Sequence, residues 1–595
     1  MHSRPLLTSL VGSSALAWGL LTTIASADPT SLTGRYSGYE EQAIRDAATD
    51  LGTGVEPLPE GKTIERIDFV RLDPIDRHDP LPIAIDALHA TSRVSVLRRE
   101  ILVHEGDVWR KAFVDESARN LRLLPQLSLV VCVPMRGSSP DRVRMVVITK
   151  DIWSLYVDFD VAATPGGLEL LTLEPKESNV AGMQHTALAR FVLQPASYAL
   201  GASYEIPRLT GRWLDVTADA NAIVNRATSA LEGSHGSVTA QRPLHSSLTK
   251  WAWSTGVTWT DSIERRYVNA VVTSFTPDLP ATTPVPWMWR ERKIVEQAKL
   301  TRSFGWETKN DFSVGGSFSH ALYRVPADPS LDPRAVAQFA RAAVPVGEDR
   351  VGPFVQWHGY TSHFLRTLDL ETLTLQEDER LGHDLWIRFY PVLRALGSTR
   401  DVFGTYAAAA YTIPLGDGLV RGAVESTVEV TPDEVSDAAF RGDLGIITPR
   451  IGFGRLVFAA TALSRWKNYL NLQSFLGGES LLRGYPSRFF AGKDMFATNL
   501  EYRSSPVTIA SMHFGLAAFY DVGNAFTGFD HLDPKHAVGF GARAVFPQID
   551  RAVLRFDVGF PVSASPLPPG VPPMSFVLAF HQALALPTVG VTRGP

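Results

Sequence analysis

The sequence predicts a mainly β protein, a transmembrane antiparallel barrel of about 16 strands preceded by a small α+β domain. Three observations carry this expectation. The N-terminus has the form of an export signal. No later run of about 18 apolar residues offers a membrane helix. From Trp153 onward, segments of roughly ten residues alternate polar and apolar side chains between clusters of turn residues.

At the N-terminus, Arg4 precedes a mostly apolar stretch from Leu6 to Ile24, which ends in Ala25-Ser26-Ala27, a small-residue cleavage pattern. Residues 1–27 are therefore expected to be a signal peptide and residues 28–60 a polar lead or linker, with a short helix near Tyr39–Ala48. An exported chain without a membrane helix enters a membrane only as a closed barrel.

Residues 61–152 read as a compact α+β unit in the order strand, helix, helix, strand, strand. Thr63–Val70 alternates as a strand. Ser92–Val103 places Val96, Leu97 and Ile101 on one helical face, and Gly106 stops it. Phe113–Leu124 is a second helix ended by Pro125, and strands Leu127–Met135 and Arg142–Thr149 flank the turn RGSSPD. Cys132 is the only cysteine, so no intrachain disulfide forms, and its apolar neighbours predict a buried thiol.

The barrel is expected over residues 153–590. In Met512–Tyr520, Met512, Phe514, Leu516, Ala518 and Tyr520 share one face, while His513, Gly515, Ala517, Phe519 and then Asp521 share the other. In Val553–Phe560, Leu554, Phe556, Val558 and Phe560 alternate with Val553, Arg555, Asp557 and Gly559. Phe496–Arg503 repeats the pattern with Asn499, Glu501 and Arg503 on its polar side. A soluble β-sandwich shares such alternation but accounts less well for the export signal and the unbroken β-region. Thr276–Trp287, Pro326–Asp349 (with a short helix at Arg334–Ala342) and Ser565–Met574 read as long outward loops.

Composition narrows the function. Net charge is −5 without a basic run, so no nucleic-acid partner is expected. HExxH, phosphate-loop and GxSxG motifs are absent, and the 15 histidines lack ligand spacing, so neither an enzyme nor a metal or cofactor site is expected. Gly539-Phe540-Gly541 with Ala544 imitates a dinucleotide fingerprint but lies within a strand, where close backbone packing explains it. Arg483, bracketed by apolar and aromatic neighbours, must reach water or a carboxylate. If Glu501 and Asp521 face the lumen, a loop folded inward would bring Arg483 to them as a latch; an exposed turn is the simpler alternative.

These residues also carry a resemblance. GGESLLRGY, then NLEYR, then FYDVGNAF resemble the barrel signature of the outer-membrane assembly and translocation superfamily, the bacterial surface antigen group that includes BamA, TamA and the two-partner secretion transporters. The segments HAVGFGARAVFP, AVLRFDVGFP and SFVLAFHQAL resemble its closing strands, and LRREILVHEGD, ESARNLRLLP and TKDIWSL resemble a polypeptide-transport-associated (POTRA) domain. The resemblance implies a lumenal latch of Arg483, Gly484, Tyr485, Glu501, Phe519, Asp521 and Gly523. It further implies insertion or translocation of client polypeptides at the outer membrane of a Gram-negative bacterium, the POTRA-like domain lying in the periplasm. Extended clients, the lipid bilayer and accessory lipoproteins would be the partners. The alternative is a closed porin, receptor or structural surface barrel, and a barrel-borne acyl hydrolase is a third reading. Two features depart from the family pattern: only one POTRA-like unit fits, and the last strand, ending near Leu584, runs on through PTVGVTRGP without a terminal aromatic.

Overall fold

The computed structural model describes residues 36–75, 91–209, 212–280, 282–478, 481–562, 567 and 569–590. The expected signal peptide lies outside these residues.

The N-terminal unit begins with helix α1 (Gly38–Asp50), where Ser37 and Glu40 form a reciprocal capping box. Strand β1 (Thr63–Leu72), a short helix α2 (Val94–Leu97), helix α3 (Lys111–Arg122) and strands β2 (Leu127–Arg136) and β3 (Arg142–Asp151) follow. The sheet runs β1-β3-β2, with β3 parallel to β1 and antiparallel to β2. Helix α3 buries Val114, Ser117, Ala118 and Leu121 at helical spacing. With α2 it covers one sheet face over Val143, Met145 and Val147. Helix α1 covers the other over Val131, Val133, Val146 and Ile148. Both faces being covered, β3 is buried along nearly its whole length.

One expected element is shorter than its pattern. The helix expected over Ser92–Val103 ends at Leu97, continues as one 3-10 turn through Glu100, and leaves Ile101–Val103 extended. The following residues 106–109 pair with the start of β1, Ile64 donating to Asp107 and Trp109 to Lys62, which draws Ile101 and Val103 into the core from an extended run.

The rest of the chain forms a closed antiparallel barrel of 20 strands, not about 16. Its strands are β4 (Leu155–Thr164), β5 (Gly167–Val180), β6 (His185–Leu193), β7 (Ser197–Ile206), β8 (Asp215–Asn225), β9 (Leu231–Arg242) and β10 (Trp251–Arg265). Next come β11 (Met288–Phe304), β12 (Thr308–Arg324), β13 (Asp349–Thr361), β14 (Gly382–Val392), β15 (Val402–Leu415), β16 (Gly418–Val430), β17 (Val435–Ile447) and β18 (Gly454–Asn468). The wall ends with β19 (Asp494–Ser504, continued by Val507–Ile509), β20 (Met512–Phe526), β21 (Lys535–Phe546), β22 (Asp550–Val562) and β23 (Ser575–Phe580). The lower expectation had two physical sources. The count allowed for long connections, whereas several neighbouring strands are joined by turns as tight as residues 165–166 and 416–417. Some strands also lack contrast between faces, as in the run Ala407–Ala410 of β15.

Leu500, Leu516, Tyr520, Phe540 and Phe556 are exposed on the outer wall, while Glu501, Asp521, Arg543 and Asp557 on the same strands are buried on the lumenal side. That is the two-sided pattern of a barrel bathed in lipid. Several lumenal rings lie over a glycine of the paired strand: Tyr390 over Gly404, Phe354 over Gly315, and Phe519 over Gly539. A Cβ on Gly539 would sit 2.2 Å from the Phe519 ring, so this glycine is the space the ring occupies, and the nucleotide-like GFG motif is a packing feature.

The N-terminal unit sits under one mouth of the barrel. Arg122 donates to Asp378, Arg366 to Asp115, Ser247 to Glu116, and Gln126 to the Ser178 carbonyl. Asp378 and Arg366 belong to the β13–β14 connection, which folds into a hairpin (Phe364–Leu368 with Gln376–Arg380). Its Leu370 packs with Leu419, Ile447 and Val457 at the base of the wall, forming a floor to the lumen.

Candidate functional site

The β18–β19 connection leaves the opposite mouth and turns back inside. Leu482 and Tyr485 are fully buried, in a cluster with Leu476, Met495, Ala497, Ala525 and Ala537. These apolar neighbours carry the segment into the barrel, and Arg483 between them has to find partners there. Asp521 takes both arms of the guanidinium, with Nε–Oδ2 and Nη2–Oδ1 each 2.9 Å, and its Oδ2 also accepts the Arg483 backbone N–H at 3.1 Å. Glu501 accepts from Nη1 at 2.5 Å. The guanidinium carbon lies 3.5 Å from the Phe519 ring centre, so the ring is held between Arg483 and Gly539. At 1% exposure Arg483 is among the largest fully buried side chains. Two-pronged pairing plus stacking is the geometry that lets a buried guanidinium remain charged without water.

The two glycines owe their identity to crowding. A Cβ on Gly484 would lie 2.7 Å from that of Ala537, and one on Gly523 would lie 2.7 Å from the Phe496 carbonyl oxygen. Arg483, Gly484, Tyr485, Glu501, Phe519, Asp521 and Gly523 are thus all found at the loop tip or the wall it meets.

The structure adds residues that sequence reasoning did not name for the site. Asp557 on β22 is 3.5 Å from the Arg483 Nη1, and Asn499 joins the Leu481 carbonyl to Asp521. Arg503 donates to Glu501 at 2.7 Å, and Arg543 and Arg555 flank Asp557. All lie on the polar faces of their strands, so parity was a signal for them. The Arg483 carbonyl oxygen accepts from the Ser575 hydroxyl on β23 at 2.7 Å and would collide at 2.3 Å with a Cβ on Gly559.

The same loop then crosses to the other end of the wall, where the Ser487 N–H donates to Glu169 on β5. Beneath it lies the junction of β23 with β4, just three paired positions: Phe576 with Ala163, Val577 with Ala162, and Leu578 with Val161. Neighbouring pairs such as β4–β5 run almost the full strand length. Facing this junction from the floor side is a cavity of about 1580 Å³, bordered by Tyr156, Phe159 and Phe580 of the two strands and by Arg119 of α3. Among the described residues, no group of three or more His, Cys, Asp or Glu is arranged to hold a metal ion.

No known family profile and no curated protein matches the sequence. Solved structures resembling the chain include BamA from Haemophilus ducreyi lacking POTRA domains 1–3, at 11% identity over 92% of this chain and 94% of that one, with a TM-score of 0.34. CdiB from Escherichia coli aligns at 12% identity over 96% and 88%, TM-score 0.38. The FrpB iron transporter from Neisseria meningitidis aligns at 9% over 76% and 87%, TM-score 0.36. These likenesses do not separate one role from another. The closed wall, its apolar exterior and its charged interior define the chain as an outer-membrane β-barrel.

Proposed function

We propose that this barrel inserts or translocates other polypeptides at the outer membrane of a Gram-negative bacterium, with the N-terminal α+β unit acting as a POTRA-like periplasmic domain. The observation that carries the reading is the three-pair junction of β4 and β23, spanned from inside by the Arg483 loop. Few backbone hydrogen bonds must break for that junction to part, its three paired positions being half the six of the next shortest pairings, β5–β6, β13–β14 and β22–β23.

The large cavity beside the junction gives an incoming segment room to reach it. Past Ile64, no strand among the described residues pairs with the outer margin of β1, which leaves that margin for an extended client by strand addition. The outer margin of β2 is partly taken by residues 53–56, through Val55 facing Met135 and Glu56 donating to Pro134.

The test is reconstitution in liposomes with a urea-unfolded outer-membrane barrel as probe client, read by heat-modifiable gel mobility. Ala162→Cys with Val577→Cys in a Cys132→Ala background ties the junction shut, these two positions being directly paired. Client folding should fall to the level of empty liposomes when the pair is oxidised and return on reduction. Undiminished activity with the pair oxidised, or no activity in the parent with a steady ion conductance in planar bilayers, would support a closed porin instead.

A further inference from the structure

The segment after the last strand is not wall. From Gln582 to Gly590 it turns into the barrel and runs along the lumenal faces of β15–β18. Leu584 and Ala583 pack on Leu419, Ile447, Val457 and the floor residue Leu370. Pro587 lies against Gly445, where a Cβ would come within 2.8 Å of the ring. Val589 packs on the cluster of Phe354, Tyr390 and Tyr406.

The polar contacts to this segment are mostly to its backbone. Arg503 donates to the Leu584 carbonyl at 3.2 Å, Glu371 accepts from the Leu586 N–H at 3.3 Å, and the Tyr406 hydroxyl accepts from the Gly590 N–H at 3.2 Å. Gln582 alone is held through its side chain, by Arg543 at 3.2 Å. Backbone anchors combined with apolar pockets for spaced side chains recognise an extended chain with little regard to sequence. Tyr390 and Tyr406, which Val589 and Gly590 meet, also border a cavity of about 780 Å³.

We infer that the β15–β18 face is a binding groove for an extended polypeptide with apolar residues at spaced positions, and that residues 582–590 occupy it as an internal stand-in. This rests on the polypeptide-handling reading above: a client segment inside the barrel would displace the stand-in and take its anchors. Arg503 bonds to both Leu584 and Glu501, so occupancy of the groove is in contact with the network that holds Arg483.

The first measurement asks whether the segment lies in the lumen in the membrane. Gly445→Cys with Pro587→Cys, in the full-length Cys132→Ala protein in liposomes, should form a disulfide on mild oxidation; failure to form it overturns the proposal. The second uses a fluorescent peptide with the sequence of residues 581–590. The full-length variant Leu584→Asp/Val589→Asp, checked for folding by heat-modifiable mobility, should bind it about tenfold or more tighter than the parent, whose groove is occupied most of the time. Val589→Asp alone serves if the double variant does not fold. A shuffled peptide that keeps the apolar spacing should bind as well, and a Ser/Gln peptide should not. Crosslinking without peptide binding would mean that the segment is a fixed filler and would overturn the groove. Because the readout is binding, its failure is separable from failure of the client-folding assay.

Discussion

Ser487 and Glu169 meet although 318 residues separate them, the backbone N–H of one donating to the carboxylate of the other at 3.1 Å. Glu169 also accepts from the Asn269 N–H, so one side chain on the second barrel strand holds two loops that enter from elsewhere. A hydrogen bond to a charged group contributes about 1.5–3 kcal/mol. Glu169→Ala should therefore lower the stability of the closed barrel by an amount in that range in urea titrations, and slow disulfide trapping of Ala162→Cys with Val577→Cys at the β4–β23 junction, because the two thiols meet only while the junction is closed. Unchanged trapping would show that the loop does not brace the junction.

Arg483 offers a second prediction. Removing one partner of a buried pair leaves the other charge stranded, which costs about 3–5 kcal/mol. Arg483→Ala and Asp521→Ala should each lower the urea midpoint strongly, and the double variant should fall well short of their sum. Arg483→Lys should rescue little, since an ammonium neither bridges both Asp521 oxygens nor stacks on Phe519 as a plane. Full additivity would contradict the latch.

Crowding gives a third. At Gly559 an added Cβ meets only backbone atoms of Arg483 and Gly484, at 2.3–2.9 Å, so nothing flexible can yield. Gly559→Ala should destabilise by about 1–3 kcal/mol, as overpacking does, and loosen the loop to protease. Gly442→Ala, where the nearest atom stands 3.9 Å away, is the matched control and should change neither.

Three carboxyls where the N-terminal unit, the floor and the lumenal segment meet give a pH dependence. Burial pushes Glu40 and Glu377 up to about 7 and Glu371 up to about 8, against an ordinary 4.5. Glu40 accepts from the Gln376 N–H and Glu377 from three N–H groups of its own loop, bonds that favour the carboxylate and offset only part of the effect of burial. The folded state therefore binds these protons more tightly than the unfolded chain. The stabilisation is complete below about 4.5 and is lost as pH rises through about 7 to 8. Melting temperature should accordingly be higher near pH 6 than near pH 8.5, a difference that Glu40→Gln and Glu377→Gln should shrink. A melting temperature that rises across this interval would show the opposite linkage.

Cys132 is partly rather than fully buried, packed against the core of the N-terminal sheet, and the loss of water around it pushes its thiol up to about 12. A soluble disulfide reagent at mildly alkaline pH should leave it unmodified in the folded protein and modify it at once in urea. Rapid reaction without denaturant would mean that this domain opens locally.

The legible part of this molecule was the part with strong contrast between neighbours. Glu501 and Asp521 alternate with Leu500 and Tyr520, so parity alone put them on the lumenal face, and an arginine flanked by Leu482 and Tyr485 needed such partners. Contrast failed in β15, where Ala407–Ala410 reads the same on both faces, and the strand count fell short. Nor can periodicity show where a strand stops: SFVLAFHQAL continues to alternate after Phe580, while Gln582 and Leu584 have already left the wall for Arg543 and Arg503. Asp557 was visible on a polar face, but its proximity to Arg483 depends on how β22 lies beside β21, which no local pattern encodes.

The β4–β23 junction also constrains the order of events in time. Val161 and Leu578 stand at opposite ends of the barrel sequence, so their pairing cannot begin until β23 has been made and delivered. The entropic cost of closing so long a loop grows only slowly with length, but the contact is as non-local as this chain allows and should form late. Until then the nascent wall is an open sheet with two strand margins, the kind of edge that pairs with whatever extended chain is near. The molecule must therefore pass through the same open state during its own birth that it is proposed to revisit when it handles another chain.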